Sequence, residues 1–286
     1  MANRTSPAEL VKSLSAIASP PTTYARLVGA IEDPFSSAKK IADVISEDVD
    51  LTARLLRIVN SSYYSFPRAI ETVTHAVAIV GTEQLRDLTL ATTVVRKFRD
   101  IPSDLVDMES FWSHSIACGL FARTIAYRRR EPNPERLFVA GLLHDVGRLL
   151  IYVKLPDESR AILESGRKRR DLLYRVESDI LRFDHTDVGS ALMEAWHLPL
   201  SHQCAVRFHH KPLAATSYPA EVATVHVSDV LAHGLNLGSS GERLVPPPDP
   251  EAWEALGLPV DSLPSLLDEG ESLFHRVADL LLECVA

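Results

Sequence analysis

The chain has 286 residues, 46% of them hydrophobic and 24% charged, with a formal net charge of −8, a composition that predicts one large or two closely packed globular domains. Three cysteines, Cys118, Cys204 and Cys284, lack CxxC spacing, which argues against a disulfide framework or thiolate zinc site and predicts a cytoplasmic location. No apolar run reaches the roughly 18 residues that span a bilayer, and "MANRTSPAEL" lacks the pattern of a secretory signal.

The acidity is local. Residues 240–286 carry 10 acidic side chains against 2 basic ones, a poor balance for non-specific nucleic-acid binding. The basic clusters "RRR" (128–130) and "RKRR" (167–170) read as solvated helix ends.

In chain order, apolar residues recur at three- and four-residue spacing over 36–46, 50–62, 72–80 and 82–98, which predicts four helices. Ser36, Asp50 and Thr82 are read as N-caps, and Gly81 as the residue that ends one helix before the next. "RDIPSDLVDME" (99–109) breaks the pattern as a linker. Further helices are predicted at about 109–129, 135–154, 157–180, 185–197, 200–210 and 218–235. "GSSGERLVPPPDPE" (238–251) reads as a surface loop, followed by helices at about 251–256 and 261–284. No stretch alternates as a strand would, so the predicted fold is all-α, with two packed helical subdomains. The boundaries expected are 1–104 for the first, 105–237 for the second, and 238–286 for a loop and acidic helical extension.

Histidine is the informative residue. His114, His144 with Asp145, His185, His209 with His210, and Asp229 each stand against an apolar helical background. Singly, each has a plain explanation: a core histidine, a helix-face pair of Asp145 with Arg148, an N-terminal cap, or a C-terminal histidine favoured by the helix dipole. On one continuous helix, His144 and Asp145 would project about 100° apart. Yet "AGLLHDVGRLLI" is apolar on almost every side, and an unpartnered charge buried there is costly. Together these side chains offer the imidazole nitrogens and carboxylate oxygens that suit Fe, Mn, Zn or Ni, in number enough for one or two ions.

These residues carry a resemblance. "HDVG" in an apolar helix, with an upstream histidine and a downstream aspartate, resembles the HD superfamily of metal-dependent phosphohydrolases. The closer resemblance is to the HDOD domain, the HD-related output domain of bacterial signalling proteins. It starts with "DVDLTARLLRIVNSSYYSFPRAIETVTHAVAIVGTEQLRDL" (48–88) and runs through "FWSHSIACG" (111–119) and "FVAGLLHDVGRLLI" (138–151). It ends with "HTDVGSALMEAWHLPLSHQCAVRFHH" (185–210) and "VHVSDVLA" (225–232), so it covers about residues 14 to 235. One departure is Val49, where the family usually has proline.

The resemblance implies that the C-terminal subdomain is an HD-like helical bundle. It implies metal ligands at His114, His144, Asp145, His185, His209, His210 and Asp229, and, were the site active, a role for Asp145 and for Arg148 on a phosphate oxygen. In the cyclic-dinucleotide phosphodiesterase branch a lysine follows the glycine of this motif; here Arg148 follows Gly147, and arginine is not a neutral replacement. The acidic residue and glycines that follow the double histidine in that branch are also missing from "HHKPLAATSYP" (209–219).

Three functions stay open at this point. The expected one is a regulatory module without turnover that binds a signalling protein or small ligand. The alternative is a metal-dependent phosphohydrolase acting on a nucleotide or cyclic dinucleotide. DNA binding is the third, weakened because Asp48, Asp50, Glu83 and Asp87 would face phosphates in the two segments that resemble helix-turn-helix units.

Overall fold

A computed structural model describes residues 6–14, 18–98 and 105–283. The predicted linker residues 99–104, and with them the boundary expected at 104, lie outside the described residues, as does Cys284.

The described residues form helices joined by short turns, with no strand among them. The first half holds α1 (Pro7–Lys12), α2 (Thr22–Glu32), α3 (Ala38–Ser46), α4 (Val49–Val59), α5 (Val73–Val80) and α6 (Thr82–Lys97). The second half holds α7 (Met108–Arg128), α8 (Pro134–Leu143), α9 (Val146–Lys154), α10 (Pro156–Arg169), α11 (Leu173–Leu181), α12 (His185–Ala195), α13 (Leu200–Phe208) and α14 (Pro219–Gly234). After a loop come α15 (Pro250–Leu256) and α16 (Leu263–Glu283).

Local chemistry fixes the starts. Side chains of Ser37, Asp48, Thr72, Asp107 and Asn133 each accept a backbone N–H one turn into the helix that follows, satisfying donors that the helix itself cannot. The expected caps Ser36 and Asp50 therefore give way to Ser37 and Asp48, whose oxygens reach N–H groups one turn on. Thr82 is the first helical residue rather than a cap; the junction is Gly81 at φ 101°, a left-handed conformation open to glycine. Helices α1 and α2 were not expected from the periodicity. The single helix predicted over 157–180 is two, parted at Arg170, whose φ is 51°.

Helix α7 is the centre of the second half. It is buried on nearly every side from Phe111 to Ala126, the condition under which an all-round apolar helix is stable. Helices α8, α14 and α16 pack on it. At its crossing with α8, a Cβ on Gly141 would lie 2.8 Å from Gly119 Cα, and one on Gly119 would lie 2.8 Å from the Phe138 carbonyl oxygen. The two glycines let these backbones touch, which brings His114 on α7 beside His144.

The largest core cluster runs from Leu10 to Leu281 and includes side chains on both sides of residue 104. A polar lock reinforces this junction. Tyr63 donates to Glu135, Arg123 Nε lies 3.1 Å from the same carboxylate, and the guanidinium stacks 3.9 Å from the Tyr63 ring centroid. Among the described residues, no helix is long and apolar enough to cross a membrane.

Candidate metal centre

The helix predicted over 135–154 is interrupted where the chemistry sits. α8 ends at Leu143, α9 begins at Val146, and His144 and Asp145 form the turn between them. They are thus not 100° apart on a continuous helix. The turn points both side chains into one pocket, and helix ends bring the others to it.

His114 comes from mid-α7, His185 is the first residue of α12, His209 and His210 follow α13, and Asp229 lies in α14. The approach of α9 to α12 is set by Gly147: a Cβ there would lie 2.0 Å from the His185 carbonyl oxygen and 2.5 Å from the Gly189 nitrogen. Asp184 caps α12 by accepting from Thr186 N and Asp187 N, which holds His185 at the helix start.

All seven predicted metal-ligand residues meet here, in two adjoining groups. His114, His144 and Asp229 form one, and Asp145, His185, His209 and His210 the other; donor atoms within each group lie within 4.8 Å of one another. Asp145 sits at the junction, with Oδ2 3.5 Å from His144 Nε2 and Oδ1 2.9 Å from His185 Nε2. Asp229 Oδ1 is 3.2 Å from His114 Nε2 and 3.6 Å from His144 Nε2.

Two of the imidazoles are oriented as ligands. His144 Nδ1 donates to the Gly141 carbonyl at 2.7 Å and His209 Nδ1 to the Val206 carbonyl at 2.9 Å. Each bond commits Nδ1 as a donor, so that Nε2 is the atom that faces the pocket. Both Nε2 atoms are buried without a hydrogen-bond partner, and so are His210 Nδ1 and Asp229 Oδ2. Buried polar atoms are nearly always partnered. Unpartnered polar atoms of this kind gathered in one pocket fit a cation, and the imidazole and carboxylate donors fit a divalent transition metal.

Electrostatics agree for part of the site, although His144 is held protonated in the metal-free protein: burial opposes its charge, but Cys118, Asp145 and Asp229 hold its pKa well above the usual imidazole range. Burial, aided by the neighbouring His233, lowers the His114 pKa to about 4, and burial with His144 and His185 lowers that of His209 to about 3. Both are neutral near pH 7, the form that binds metal. Burial works against ionisation of Asp145 and Asp229, but the first is outweighed by Arg148, His144 and His185, the second by His233, His114 and His144. Both stay ionised. His185 is the exception in its group: burial and Arg148 oppose its protonation, yet Glu177 and Asp145 lift its pKa to about 9. Its Nδ1 sits 2.6 Å from Glu177 Oε2, so it is an imidazolium bridging two carboxylates until Asp145 is drawn elsewhere.

These shifts predict a pH dependence for the metal-free protein. His114 and His209 bind protons more readily unfolded, near pH 6.5, than folded. Their contribution is present above pH 6.5 and is lost as pH falls towards 4 for His114 and towards 3 for His209, at about 1.4 kcal/mol per pH unit for each. His144 and His185 run the other way: both are full below pH 6.5, and His185 is lost as pH rises through about 9. Urea midpoints at pH 5, 7 and 10 check this; the midpoint at pH 7 is expected to be the highest, and a higher value at pH 5 would contradict it.

Arg148, expected on a phosphate oxygen were the site active, is turned into the pocket. Its guanidinium is 1% exposed, with Nη1 3.4 Å from Asp145 Oδ2 and Nε 3.3 Å from Glu177 Oε1. Nη1 also donates to Ser240 Oγ at 2.6 Å. The i, i+3 pair with Asp145 is real, but it lies inside the pocket. Turned inward and matched by two carboxylates, Arg148 is a counter-ion of the centre.

Sequence reasoning missed Glu177, Ser240 and His233. His233 had a signal: it follows Asp229 by one helical turn, and its Nδ1 lies 2.9 Å from Asp229 Oδ1. Glu177 and Ser240 reach the site only through the fold.

An all-helical chain that buries paired histidine–aspartate groups at a helix break defines a protein of the histidine–aspartate type. The family model described as HDOD domain matches residues 17–212, and the chain belongs to the HDOD domain family. A solved HDOD domain protein of unknown function from Geobacter sulfurreducens superposes with a TM-score of 0.75 at 24% identity, covering 97% of this chain and 96% of that one. A candidate phosphohydrolase from Shewanella amazonensis gives 0.75 at 23% identity, covering 99% and 100%. A candidate signal transduction protein from Marinobacter aquaeolei gives 0.72 at 20%, covering 93% and 59%. At these identities the likeness is one of fold. An uncharacterized protein of Treponema pallidum is 25% identical over 221 residues, 76% of this chain, but the match spans only 42% of that relative.

Proposed function

We propose that this HDOD domain is a signal-transduction module that works by binding a partner protein or small ligand, and that its pocket is a closed metal centre without turnover. The observation that carries this reading is burial. His114, His144, His185 and His209 have no solvent exposure, and Asp145 and Asp229 have 2% and 1%. A catalytic metal site keeps an open coordination position that substrate reaches. Arg148, the side chain expected to meet phosphate, is held inward by Asp145 and Glu177.

His114, His144 and Asp229 would hold one ion, and Asp145, His209 and His210, with His185 once released, a second. A divalent ion there (Fe, Mn, Zn or Ni) would supply Lewis acidity and an activated water. The chain's own residues bind and orient: His144 and His209 present Nε2, Glu177 holds the ring of His185, and Arg148 offsets the carboxylates. The centre then ties α7, the α8–α9 turn, α12, the end of α13 and α14 into one rigid body that a partner can read.

The phosphohydrolase reading has one observation in its favour. The two donor groups adjoin across Asp145, as two-metal hydrolysis requires, and His210 at the edge is partly exposed.

Metal analysis of the purified protein, followed by a screen of phosphomonoesters, phosphodiesters and cyclic dinucleotides, separates the two. Bound metal with no turnover above background is expected. Turnover that disappears in His144→Ala would overturn the non-catalytic reading.

A further inference from the structure

The basic segment "RKRR" at the end of α10 faces a surface cleft of about 280 Å³. Its walls carry Arg167 and Arg170 from α10 and its end, and Arg243 from the loop after α14, over Leu163, Leu173 and Leu244. All three arginines are exposed. None of their side chains has an ion-pair or hydrogen-bond partner among the described residues, whereas neighbouring Lys168 and Arg169 are paired with Glu164, Asp171 and Asp179.

The two carboxylates in the lining are engaged elsewhere. Glu242 accepts from the backbone nitrogens of Leu173, Arg243 and Leu244 at 2.7, 2.8 and 2.9 Å. Asp171 pairs with Arg169 at 2.8 Å and accepts from Leu172 N at 2.9 Å. Three arginines therefore line one concave space whose two carboxylates are already engaged by backbone N–H groups and by Arg169.

We propose that this cleft binds a phosphate-bearing small molecule of mononucleotide size. Guanidinium groups present forked donors that match phosphate oxygens, and the leucines offer an apolar surface to a flat group attached to the phosphate. The volume lies just below the range typical of small-molecule sites, about 300–1,000 Å³, which favours one nucleotide over a dinucleotide. Arg170 is placed by a left-handed backbone, φ 51°, that an arginine adopts only at a cost.

The rim of the cleft is the loop that touches the metal centre. Ser240 accepts from Arg148 at its Oγ, and its carbonyl accepts from Tyr152 Oη at 3.0 Å. The next residue, Gly241, has φ 108°, and a Cβ on it would lie 2.5 Å from Tyr152 Oη. Arg243, two residues further on, faces the cleft. A ligand held by Arg243 thus acts on the loop that holds Arg148.

Calorimetric titration of the full chain with adenosine 5′-monophosphate and with pyrophosphate tests the site. Binding of either is expected, tighter for the nucleotide if the leucine surface is used. The doubly substituted Arg167→Ala, Arg170→Ala protein should bind ~10-fold more weakly or worse, with an unchanged circular dichroism spectrum because both side chains are exposed. Lys39→Ala, Lys40→Ala removes the same charge on α3 and should leave binding intact. The proposal is overturned by any of three results: neither probe binds at millimolar concentration, the two double variants weaken binding equally, or a single-stranded oligonucleotide binds while both small probes do not.

Discussion

Replacing Arg148 with methionine in the metal-free protein is expected to cost about 3–5 kcal/mol of folding stability, the loss seen when one partner of a buried ion pair is removed. The guanidinium lies between Asp145 and Glu177, which are both 2% exposed or less. Methionine keeps most of the volume, so the loss reports charge rather than packing. Arg148→Lys should fall between the two, since an ammonium keeps the charge but cannot serve Asp145, Glu177 and Ser240 at once. Urea denaturation of the three proteins checks the order. A negligible effect of Arg148→Met would mean that the side chain is free in solution, as a phosphate ligand in an open cleft would be.

Gly147→Ala is expected to have an effect of similar size for a different reason. The added Cβ would meet the His185 carbonyl oxygen and the Gly189 nitrogen at 2.0 and 2.5 Å, and backbone atoms cannot turn aside. Helices α9 and α12 must separate, at a cost at or above the upper end of the about 1–3 kcal/mol typical of overpacking. Because α12 begins at His185 and α9 follows Asp145, the separation also pulls these two ligands apart, and metal retained after dialysis should fall with stability. Gly189→Ala is the internal comparison. Its Cβ would meet Val206 Cγ1 at 2.7 Å, a side-chain atom that can shift, so the loss should be smaller. Equal losses at the two glycines would contradict the contact assigned to Gly147.

The helical fold was legible because 3.6-residue periodicity is written into each amphipathic segment, and the candidate ligands because histidine and aspartate stand out in apolar helices. What escaped depended on tertiary context. The break between α8 and α9 carries no proline, and the apolar pattern continues across it, so His144 and Asp145 read as helical. The burial of Arg148 was not legible because a local i, i+3 pairing says nothing of burial; Glu177 and Ser240, which hold it inward, lie 29 and 92 positions away. Helix α10 ends at a left-handed arginine where glycine would have marked the stop. Tyr63 and Arg123 meet only because the two halves of the chain share one core.

The central claim is a metal centre that is built but closed. Loading the metal-free protein with Co²⁺ and recording its visible absorption spectrum, before and after addition of phosphate, tests it most directly. The account predicts a ligand-field spectrum that is weakened in His144→Ala, which removes a donor from one of the two groups, and unchanged by phosphate, because the donors in the buried groups leave no path for an anion. A spectrum that shifts saturably with phosphate would place an open coordination position at the centre, and would contradict the account.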